Sequence, residues 1–530
     1  MLFLFENAHM QQRNVGSLYL VVALGGILSV ALWWLLADIT RGLHPDLVTS
    51  LVNASPESMR GFFAELKYGF EYEEDNNNMP TVAFLVLQVL LWSILVAVFL
   101  LLQNQRASPR VTWLIVLFAI GFRILMLGSV PIHENDFYRY LWDGKTLKNG
   151  INPYLYEPAA LFIYEQGLTK PMQINGVELN GRSWSEEDEV HLQRLLELRG
   201  DNHQLHERIG HWQVPTVYPP AAQGFFALSS LCFEDSLLGL KMMLMIFDVA
   251  CIGLIVALLI LLKRSTAAVI LYAWSPLILV EFSNSAHYDA IPIFFLLLAI
   301  CFSIGKNAIL GGITSGIGTL TKFFGALIVP ILHSPKRWQS WIIYLLCALV
   351  VIGSYWPFVV WQDAGIARVF SGLGTYSRDW QNNSFFFLII DGIMGGETYA
   401  RAKIVVALVL VAGIVAVAYL PSFTRQDVLE KCFWVVALLF LLNPTSFPWY
   451  FAWVVPFLCV FPSPSLILLM LTVSAYYLQF HSDYTWTSTE LLGLPALTWI
   501  TWGPFLVFSL VQGITWLAIG RHRRESTILD

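Results

Sequence analysis

Two carboxylic acids, Glu134 and Asp136, stand one residue apart just beyond an apolar run of the chain. The run, Val111–Val130, contains one charged residue, Arg123. A carboxylate held close to a hydroxyl group can remove its proton, so side chains of this type are candidates for acid–base chemistry. Because ionisable groups next to a membrane segment are costly and are kept mainly where they pair or function, this pair is the strongest functional candidate.

The apolar run belongs to a membrane protein. The 530 residues are 56% hydrophobic and 13% charged, whereas an average soluble domain carries about 25% charge. Several runs reach the roughly 20 apolar residues that cross a bilayer. The sequence therefore predicts an all-α, polytopic membrane protein, one membrane-embedded domain over 1–530 with about 13–14 transmembrane helices. The clearest of these runs are Ser17–Ala37, Thr81–Leu102, Val111–Val130 and Leu237–Leu262.

The orientation follows from the short connections. Loops that we assign to one side hold 13 of the 31 basic residues and five of the 37 acidic residues. Basic short loops mark the cytoplasmic side, so both termini are expected there. To keep this parity, Ala308–His333 must form a hairpin of two short helices broken near Thr319–Lys322. The other face then carries Asp38–Pro80 and the large extracytoplasmic loop 131–216, which the acidic pair opens.

Polar residues from distant parts of the chain are expected at the same outer face. They follow or join different apolar runs, so we predict one site where the membrane surface meets water. The candidates besides the acidic pair are Arg139, His287, Asp289, Lys322, Arg378, Trp449 and Tyr450.

Simpler interpretations stay open for most of them. Tyr and Trp could form an interfacial aromatic belt, and Lys322 could extend to the lipid headgroups. His287 and Asp289 could be a structural pair. We interpret Asp143–Gly144 as a turn. Arg123 and Asp248, both inside predicted spans, are expected to form a buried pair.

The segment "NDFYRYLWDGKTLKNGINPY" resembles the GT-C superfamily of integral-membrane glycosyltransferases. It looks like the bacterial polyprenyl-phosphate-mannose-dependent mannosyltransferases and their relatives. The likeness extends from about residue 111 to 461 and includes further motifs in order. They are "YPPAAQ" (218–223), "NSAHYDA" (284–290), "LTKFFGALIVP" (320–330) and "FPWYFAWVVP" (447–456).

The resemblance implies a GT-C-like fold and an inverting transfer of a hexose, with mannose as a guess. The donor would be a polyprenyl-phosphate sugar and the acceptor an extracytoplasmic glycan or lipid, at the bacterial cytoplasmic membrane. Asp136 would be the general base and Glu134 its tuning or orienting partner. Lys322, Arg378 and Arg139 would bind the donor phosphate, and His287 and Asp289, with Trp449 and Tyr450, would line the acceptor and sugar site. No cofactor is certain, and a divalent metal stays open.

Two other functions compete with this interpretation. A transporter would place its binding residues at mid-membrane, often in repeated halves, whereas these charges lie at one face and no repeat is visible. A polymerase or ligase of lipid-linked glycans would share the outer-face site but would typically carry its charges in a late loop. Membrane lipids are expected partners, and the sequence has no nucleic-acid-binding pattern.

Overall fold

The computed structural model describes residues 15–40, 81–103, 105, 108–131, 133–174, 176–200, 204–233, 235–396, 399–480 and 489–528, with side-chain detail up to residue 514. Most of the acidic 38–80 loop therefore lies outside the described residues. Among its described residues, the first half of the chain has nine helices and one hairpin. They are α1 (Val15–Ile39), α2 (Thr81–Leu102), α3 (Pro109–Leu127), α4 (Asp136–Lys148), α5 (Ala159–Glu165), β1 (Met172–Ile174), β2 (Val177–Leu179), α6 (Glu186–Arg199), α7 (Gln204–Glu207), α8 (Pro220–Phe233) and α9 (Leu237–Leu261).

The second half is also helical, with more breaks. Short 3₁₀ segments at Thr266–Val269, Phe323–Ile328, Trp361–Asp363 and Val473–Phe480 and a π-helical turn at Leu279–Asn284 join the regular helices. Those helices and one small hairpin are α10 (Ile270–Ala273), α11 (Pro276–Ile278), α12 (Ala290–Ile304), α13 (Ala308–Thr321), α14 (Val329–Leu332), α15 (Trp338–Val360), α16 (Gly365–Val369), α17 (Ser371–Asp379), α18 (Phe385–Ile393), α19 (Ala400–Tyr419), α20 (Arg425–Leu442), α21 (Pro448–Phe451), α22 (Val455–Leu458), α23 (Pro464–Thr472), β3 (Glu490–Leu491), β4 (Leu494–Pro495) and α24 (Ala496–Ile528).

The chain is an all-α polytopic membrane protein, as predicted. Within the described residues, seven helices are long and apolar enough to cross a membrane, or up to eight when a bent pair around residues 266–284 counts as one span. The four runs named from sequence each form a helix whose ends agree within three residues. The expected total of 13–14 would require shorter apolar helices, such as α12 and α13, to cross as well.

The N-terminal helices form one bundle in which α1 packs on α2 and α3. A buried ion pair ties this bundle to α9. Arg123 Nε lies 2.6 Å from Asp248 Oδ2, and neither side chain is exposed. The same guanidinium donates to the carbonyl of Ala273, and the hydroxyl of Tyr272 donates to Asp248. The expected buried pair is confirmed, and its remaining polar atoms are satisfied as a charge in an apolar interior requires.

The predicted hairpin at Ala308–His333 is also confirmed. Helix α13 ends at Thr321. The extended backbone of the next residue, Lys322 (φ −160°, ψ 128°), separates it from the following 3₁₀ turn. The chain then doubles back on itself, because a Cβ added at Gly325 would lie 3.2 Å from the backbone of Gly318. Lys322 therefore stands at the tip of the hairpin.

Three of the short basic connections meet at one end of the bundle. Arg264 donates to the side chain of Gln426, and Ser265 donates to the carbonyl of Gln105. These contacts join the 103–110, 263–265 and 422–431 connections, which the charge pattern assigned to one side.

The loop 131–216 forms a compact layer of its own. Ser185 and Asp188 form a capping box at the start of α6, where a side-chain acceptor satisfies a free backbone N–H. Helix α8 has 14 residues, fewer than a full span needs. It packs closely on α4, since a Cβ at Gly144 would lie 2.4 Å from the carbonyl oxygen of Phe226.

This close approach predicts the effect of adding one methyl group. Gly144→Ala should push α4 away from α8 and destabilise the fold by about 1–3 kcal/mol, the usual cost of overpacking. Thermal unfolding of the purified protein in detergent would measure it. Gly121→Ala in α3 is the matched control, because a Cβ there meets no atom within 4 Å and alanine favours a helix by about 0.5–1 kcal/mol. Equal melting temperatures for the two variants would contradict the close packing.

Candidate active site

A cavity of about 940 Å³ lies where the outer layer meets the membrane helices. Distant segments of the chain form its walls. They are residues 133–140 at the start of α4, 210–219 before α8, the hairpin tip at 322–324, 373–382 at the end of α17, 447–450 around α21, and 476–480. The sequence prediction that polar residues from several helix ends converge is thus met for part of the proposed set.

Glu134 and Asp136 both line this cavity. Asp136 is the first residue of α4, where the free N–H groups of the helix favour a negative charge. One turn later, the hydroxyl of Tyr140 lies 3.4 Å from Asp136 Oδ2. The carboxylate is thus held at the cavity wall, within reach of a hydroxyl group entering the cavity.

Glu134 occupies a drier position than its partner in sequence. Its Oε1 is buried without a hydrogen-bond partner among the described residues. Burial, together with the negative charges of Asp136 and Glu281, raises the pKa of Glu134 well above its usual range. A carboxyl group in this environment takes up a proton at higher pH than it would in water, and in that form it can donate a hydrogen bond.

Lys322 brings a positive charge to the same cavity. Its ammonium group donates to Asp289 Oδ1 at 2.6 Å. The ring centres of Tyr450, Tyr288 and Phe324 lie 4.5, 5.1 and 5.7 Å from Nζ, at cation–π distance. The ammonium is therefore held by a carboxylate and aromatic faces at the cavity wall, and the alternative that it merely extends to lipid headgroups does not describe this geometry.

Asp143 is not a turn residue, contrary to the sequence interpretation. It lies in the middle of α4 and is buried. Its carboxylate accepts hydrogen bonds from Arg139 Nε, Thr216 Oγ1 and Gln223 Nε2. Tertiary contacts stabilise the helical conformation of this Asp-Gly pair: Gly144 packs against α8, and Asp143 pairs with Arg139.

Arg139 also lines the cavity, as expected for a phosphate ligand. Its Nε and Nη1 are used, by Asp143 at 2.9 Å and by the carbonyl of Val214 at 3.0 Å. Its Nη2 is buried and has no partner within the described chain. A buried donor without an acceptor is costly, so this nitrogen is the one that a bound anion would satisfy.

His287 and Asp289 lie behind the cavity wall rather than on it. Both are buried, with 0% and 1% of their surface exposed. Asp289 Oδ1 accepts from Lys322 and from Trp453 Nε1. His287 Nδ1 lies 3.0 Å from Glu281 Oε2, and its ring stacks on Trp449 at 4.0 Å. Their expected contact with acceptor or sugar hydroxyls stays a prediction, and within the structure Asp289 contacts Lys322 and His287 contacts Trp449. They are also not a pair with each other, since each has a different partner.

Arg378 is the third sequence candidate for binding phosphate, and the structure does not bring it to the cavity. Its guanidinium is 72% exposed and pairs with the adjacent Asp379. Arg378 lies in the last turn of α17 and lines a neighbouring cavity that shares Asp379 and Trp380 with the first.

Trp449 and Tyr450 line the cavity, as predicted. Trp449 is stacked between Phe447 and His287, which fixes its ring plane. Sequence reasoning missed a set of further tyrosines on the walls. Tyr140 could have been found from its helical spacing of four from Asp136, whereas the others carry no local motif. The set is Tyr140, Tyr218, Tyr288, Tyr376 and Tyr476.

The sequence left a divalent metal open. Among the described residues, no group of three or more His, Cys, Asp or Glu side chains is arranged to hold a metal ion. The polar side chains that line the cavity include the acidic pair, the two cations and the tyrosine hydroxyls.

Comparison with known families adds to this geometry. Residues 216–444 match the model of glycosyltransferase family 87. This is a GT-C-type family of membrane glycosyltransferases, so the resemblance seen in the sequence is confirmed, and the match supports a glycosyltransferase activity. The family 87 segment contains Lys322 and Asp289 and begins after the acidic pair. No curated protein and no solved structure matched the chain.

The ion pair of Arg139 and Asp143 predicts a stability effect. Asp143→Asn removes the charge that balances a buried guanidinium, and breaking such a pair costs about 3–5 kcal/mol. The melting temperature of the purified variant should fall sharply. Asp235→Asn is the matched control, because Asp235 pairs with Lys145 of the same helix but both side chains are about one quarter exposed. An exposed pair contributes about 0–1 kcal/mol. Similar losses in both variants would show that burial of the Arg139 pair does not govern stability.

Proposed function

We propose that this protein transfers a hexose from a polyprenyl-phosphate donor to a glycan or lipid acceptor, with inversion at the sugar carbon. One observation carries the proposal: the acidic pair of Glu134 and Asp136 lines the same cavity as the two cations Lys322 and Arg139. The carboxylates suit the acceptor hydroxyl, and the cations suit the phosphate that leaves. The match to glycosyltransferase family 87 supports the same class of reaction.

The reaction requires one proton transfer and one displacement. The acceptor oxygen attacks C1 of the sugar while its proton passes to Asp136. The bond between C1 and the phosphate oxygen breaks, and its electrons leave with the polyprenyl phosphate. Direct attack inverts the configuration and needs no covalent carboxylate, so one base suffices.

Lys322 and Arg139 are the proposed phosphate ligands. Lys322 provides a point charge, and Arg139 offers its unpartnered Nη2. Charge-assisted hydrogen bonds of this kind become stronger as negative charge develops on the leaving group. Glu134, whose pKa is raised by burial and by the nearby negative charges, would in its protonated form orient the acceptor without repelling the leaving phosphate. The family resemblance makes mannose the first sugar to test.

The location follows from the charge pattern. The basic connections that meet at one end of the bundle mark the cytoplasmic side. We therefore place both termini in the cytoplasm and the cavity on the extracytoplasmic face of a bacterial cytoplasmic membrane. There, a lipid-borne phosphate at headgroup level can meet an acceptor from water.

The direct test is Asp136→Asn, which keeps the size of the side chain but cannot accept the proton. General-base catalysis contributes about 10²–10⁴-fold, so turnover with a synthetic polyprenyl-phosphate hexose should fall by that factor. Donor affinity, measured separately, should stay normal. Asp235→Asn serves as the control and should retain wild-type turnover. If the turnover of Asp136→Asn stayed within about threefold of wild type, the loss would be far smaller than a general base contributes. That result would remove Asp136 from the mechanism.

The raised pKa of Glu134 predicts a pH effect with a definite sign. As pH rises through this pKa, Glu134 ionises beside Asp136, and kcat/KM of the wild type should fall. Glu134→Gln has a neutral side chain at every pH. Its kcat/KM should stay within about tenfold of wild type, a smaller loss than removal of a general base causes. It should also lack the decline at high pH. The pH profiles of both enzymes provide the measurement. A Glu134→Gln enzyme as impaired as Asp136→Asn at every pH would show that Glu134 acts as a charged group.

A further inference from the structure

A second cavity, of about 450 Å³, adjoins the first on its outer side. Its volume lies within the roughly 300–1,000 Å³ typical of sites for small ligands. The β1–β2 hairpin with the residues that follow it forms one wall, and α17 forms the opposite wall. Val214, Asp379 and Trp380 line both cavities, so these three residues are the partition between them.

Most of the residues that line this second cavity have polar or charged side chains. Aliphatic side chains come from Ile163, Leu179 and Val214. Groups that can donate or accept hydrogen bonds dominate. They are Glu157, Glu178, Asn180, Arg182, Gln213, Thr375, Arg378 and Asp379, with the indole of Trp380 beside them.

Carboxylates outnumber cations in this cavity. Arg182 pairs with Glu157 at 2.5 Å, and Arg378 pairs with Asp379 at 2.7 Å. Arg182 Nε has no hydrogen-bond partner among the described residues, and Glu178 adds a third carboxylate. Because three carboxylates face two guanidinium groups, the net charge of the lining disfavours an anionic ligand. The lining therefore favours a neutral ligand rich in hydroxyl groups.

Gln213 brings a hydrogen-bond acceptor to the second cavity. Its Oε1 is buried and has no hydrogen-bond partner within the described chain. An acceptor left in this state costs free energy that a ligand donor would recover. The Trp380 ring, held edge-on by His211 at 4.7 Å, offers an aromatic surface beside it, and apolar contact with polar anchoring is the usual composition of a ligand site.

Helix α17 packs closely against the 213–216 segment. A Cβ at Gly372, in the first turn of α17, would lie 2.4 Å from the carbonyl oxygen of Pro215 and 2.5 Å from that of Thr216. This backbone contact anchors α17 against the 213–216 segment. Gln213 and Thr375 consequently face the cavity from segments that are locked together, so the site is formed before a ligand arrives.

We propose that this second cavity binds a neutral sugar unit of a glycan acceptor, whose next hydroxyl reaches Asp136 past Trp380. The proposal rests on the function proposed above and defines its acceptor as a glycan in the extracytoplasmic water rather than a lipid chain. It also gives Arg378 a place in the acceptor site through its pair with Asp379.

Binding of trisaccharides to the full-length protein in nanodiscs tests the proposal. Saturation-transfer-difference NMR would be recorded with mannotriose, maltotriose, cellotriose and triacetylchitotriose as neutral probes and with trigalacturonic acid as the anionic probe. At least one neutral trisaccharide should bind, and trigalacturonic acid should bind more weakly. Gln213→Leu should lower the affinity for that trisaccharide about three- to tenfold, the range expected for one lost hydrogen bond. Trp380→Ala should lower it as well.

Gln173→Leu is the matched control, since Gln173 is exposed on strand β1 of the same hairpin and lies outside this cavity. Its trisaccharide affinity should equal that of the wild type. No neutral trisaccharide binding, or equal binding in Gln213→Leu, overturns the proposal, as does a preference for trigalacturonic acid.

Asp136→Asn separates this proposal from the function on which it rests. The variant should bind the trisaccharide normally, because Asp136 lies outside the second cavity. Trisaccharide binding that depends on Gln213, combined with full transfer activity in Asp136→Asn, would overturn the proposed mechanism and leave the sugar site standing. Loss of transfer in Asp136→Asn, combined with no trisaccharide binding by the wild-type protein, would support the proposed mechanism and overturn the sugar site.

Discussion

The ammonium of Lys322 is the constraint around which the site is organised. A positive charge between apolar helices must be compensated, and Asp289 does so at 2.6 Å while also accepting from Trp453. This one carboxylate therefore joins the hairpin tip, the start of α12 and the segment between α21 and α22. The Trp449–Tyr450 wall is fixed by the same junction, because Tyr450 covers Lys322 and Trp449 stacks on His287.

A second compensated charge fixes the other side of the cavity. Arg139 and Asp143 lie one turn apart in α4, and Asp143 also accepts from Thr216 and Gln223. These bonds fasten α4 to the segment before α8, which supplies the cavity wall at 214–219. Lys322 is held by Asp289 and Arg139 by Asp143, and both cations also line the cavity. A phosphate could thus bind without dismantling either pair.

Hydropathy and loop charge predicted the part of the fold that depends on local composition. The long helices, the buried pair of Arg123 and Asp248, and the hairpin break at Lys322 all follow from where apolar runs begin, end or meet like-charged loops. The positions of Asp136, Glu134, Lys322 and Arg139 on one cavity also follow, since helix ends at one face must lie near each other.

Side-chain direction was beyond such reasoning. The π-helical turn at Leu279–Asn284 widens the backbone and directs Glu281 inward, where it faces His287. Local patterns contain no sign of that turn. Asp143 was misread because an Asp-Gly pair is a common turn signal, while tertiary contacts with α8 and Arg139 overrode it. Arg378 lies close along the chain to Asn382, which lines the first cavity. That proximity does not determine which cavity the side chain of Arg378 lines, and it lines the second.

The partition at Trp380 connects these observations. Carboxylates and cations that could activate an acceptor and stabilise a phosphate lie on one side of it, and hydroxyl-binding groups without net positive charge lie on the other. A site for transfer to a polar acceptor must keep the anionic donor away from the acceptor pocket, because a phosphate bound there would block the glycan. The excess of carboxylates over guanidinium groups in the second cavity would favour this exclusion, whereas the first cavity contains Lys322 and the buried Nη2 of Arg139, which has no partner among the described residues. Under the proposed function, this division of charge would give the donor and the acceptor separate places beside the same base.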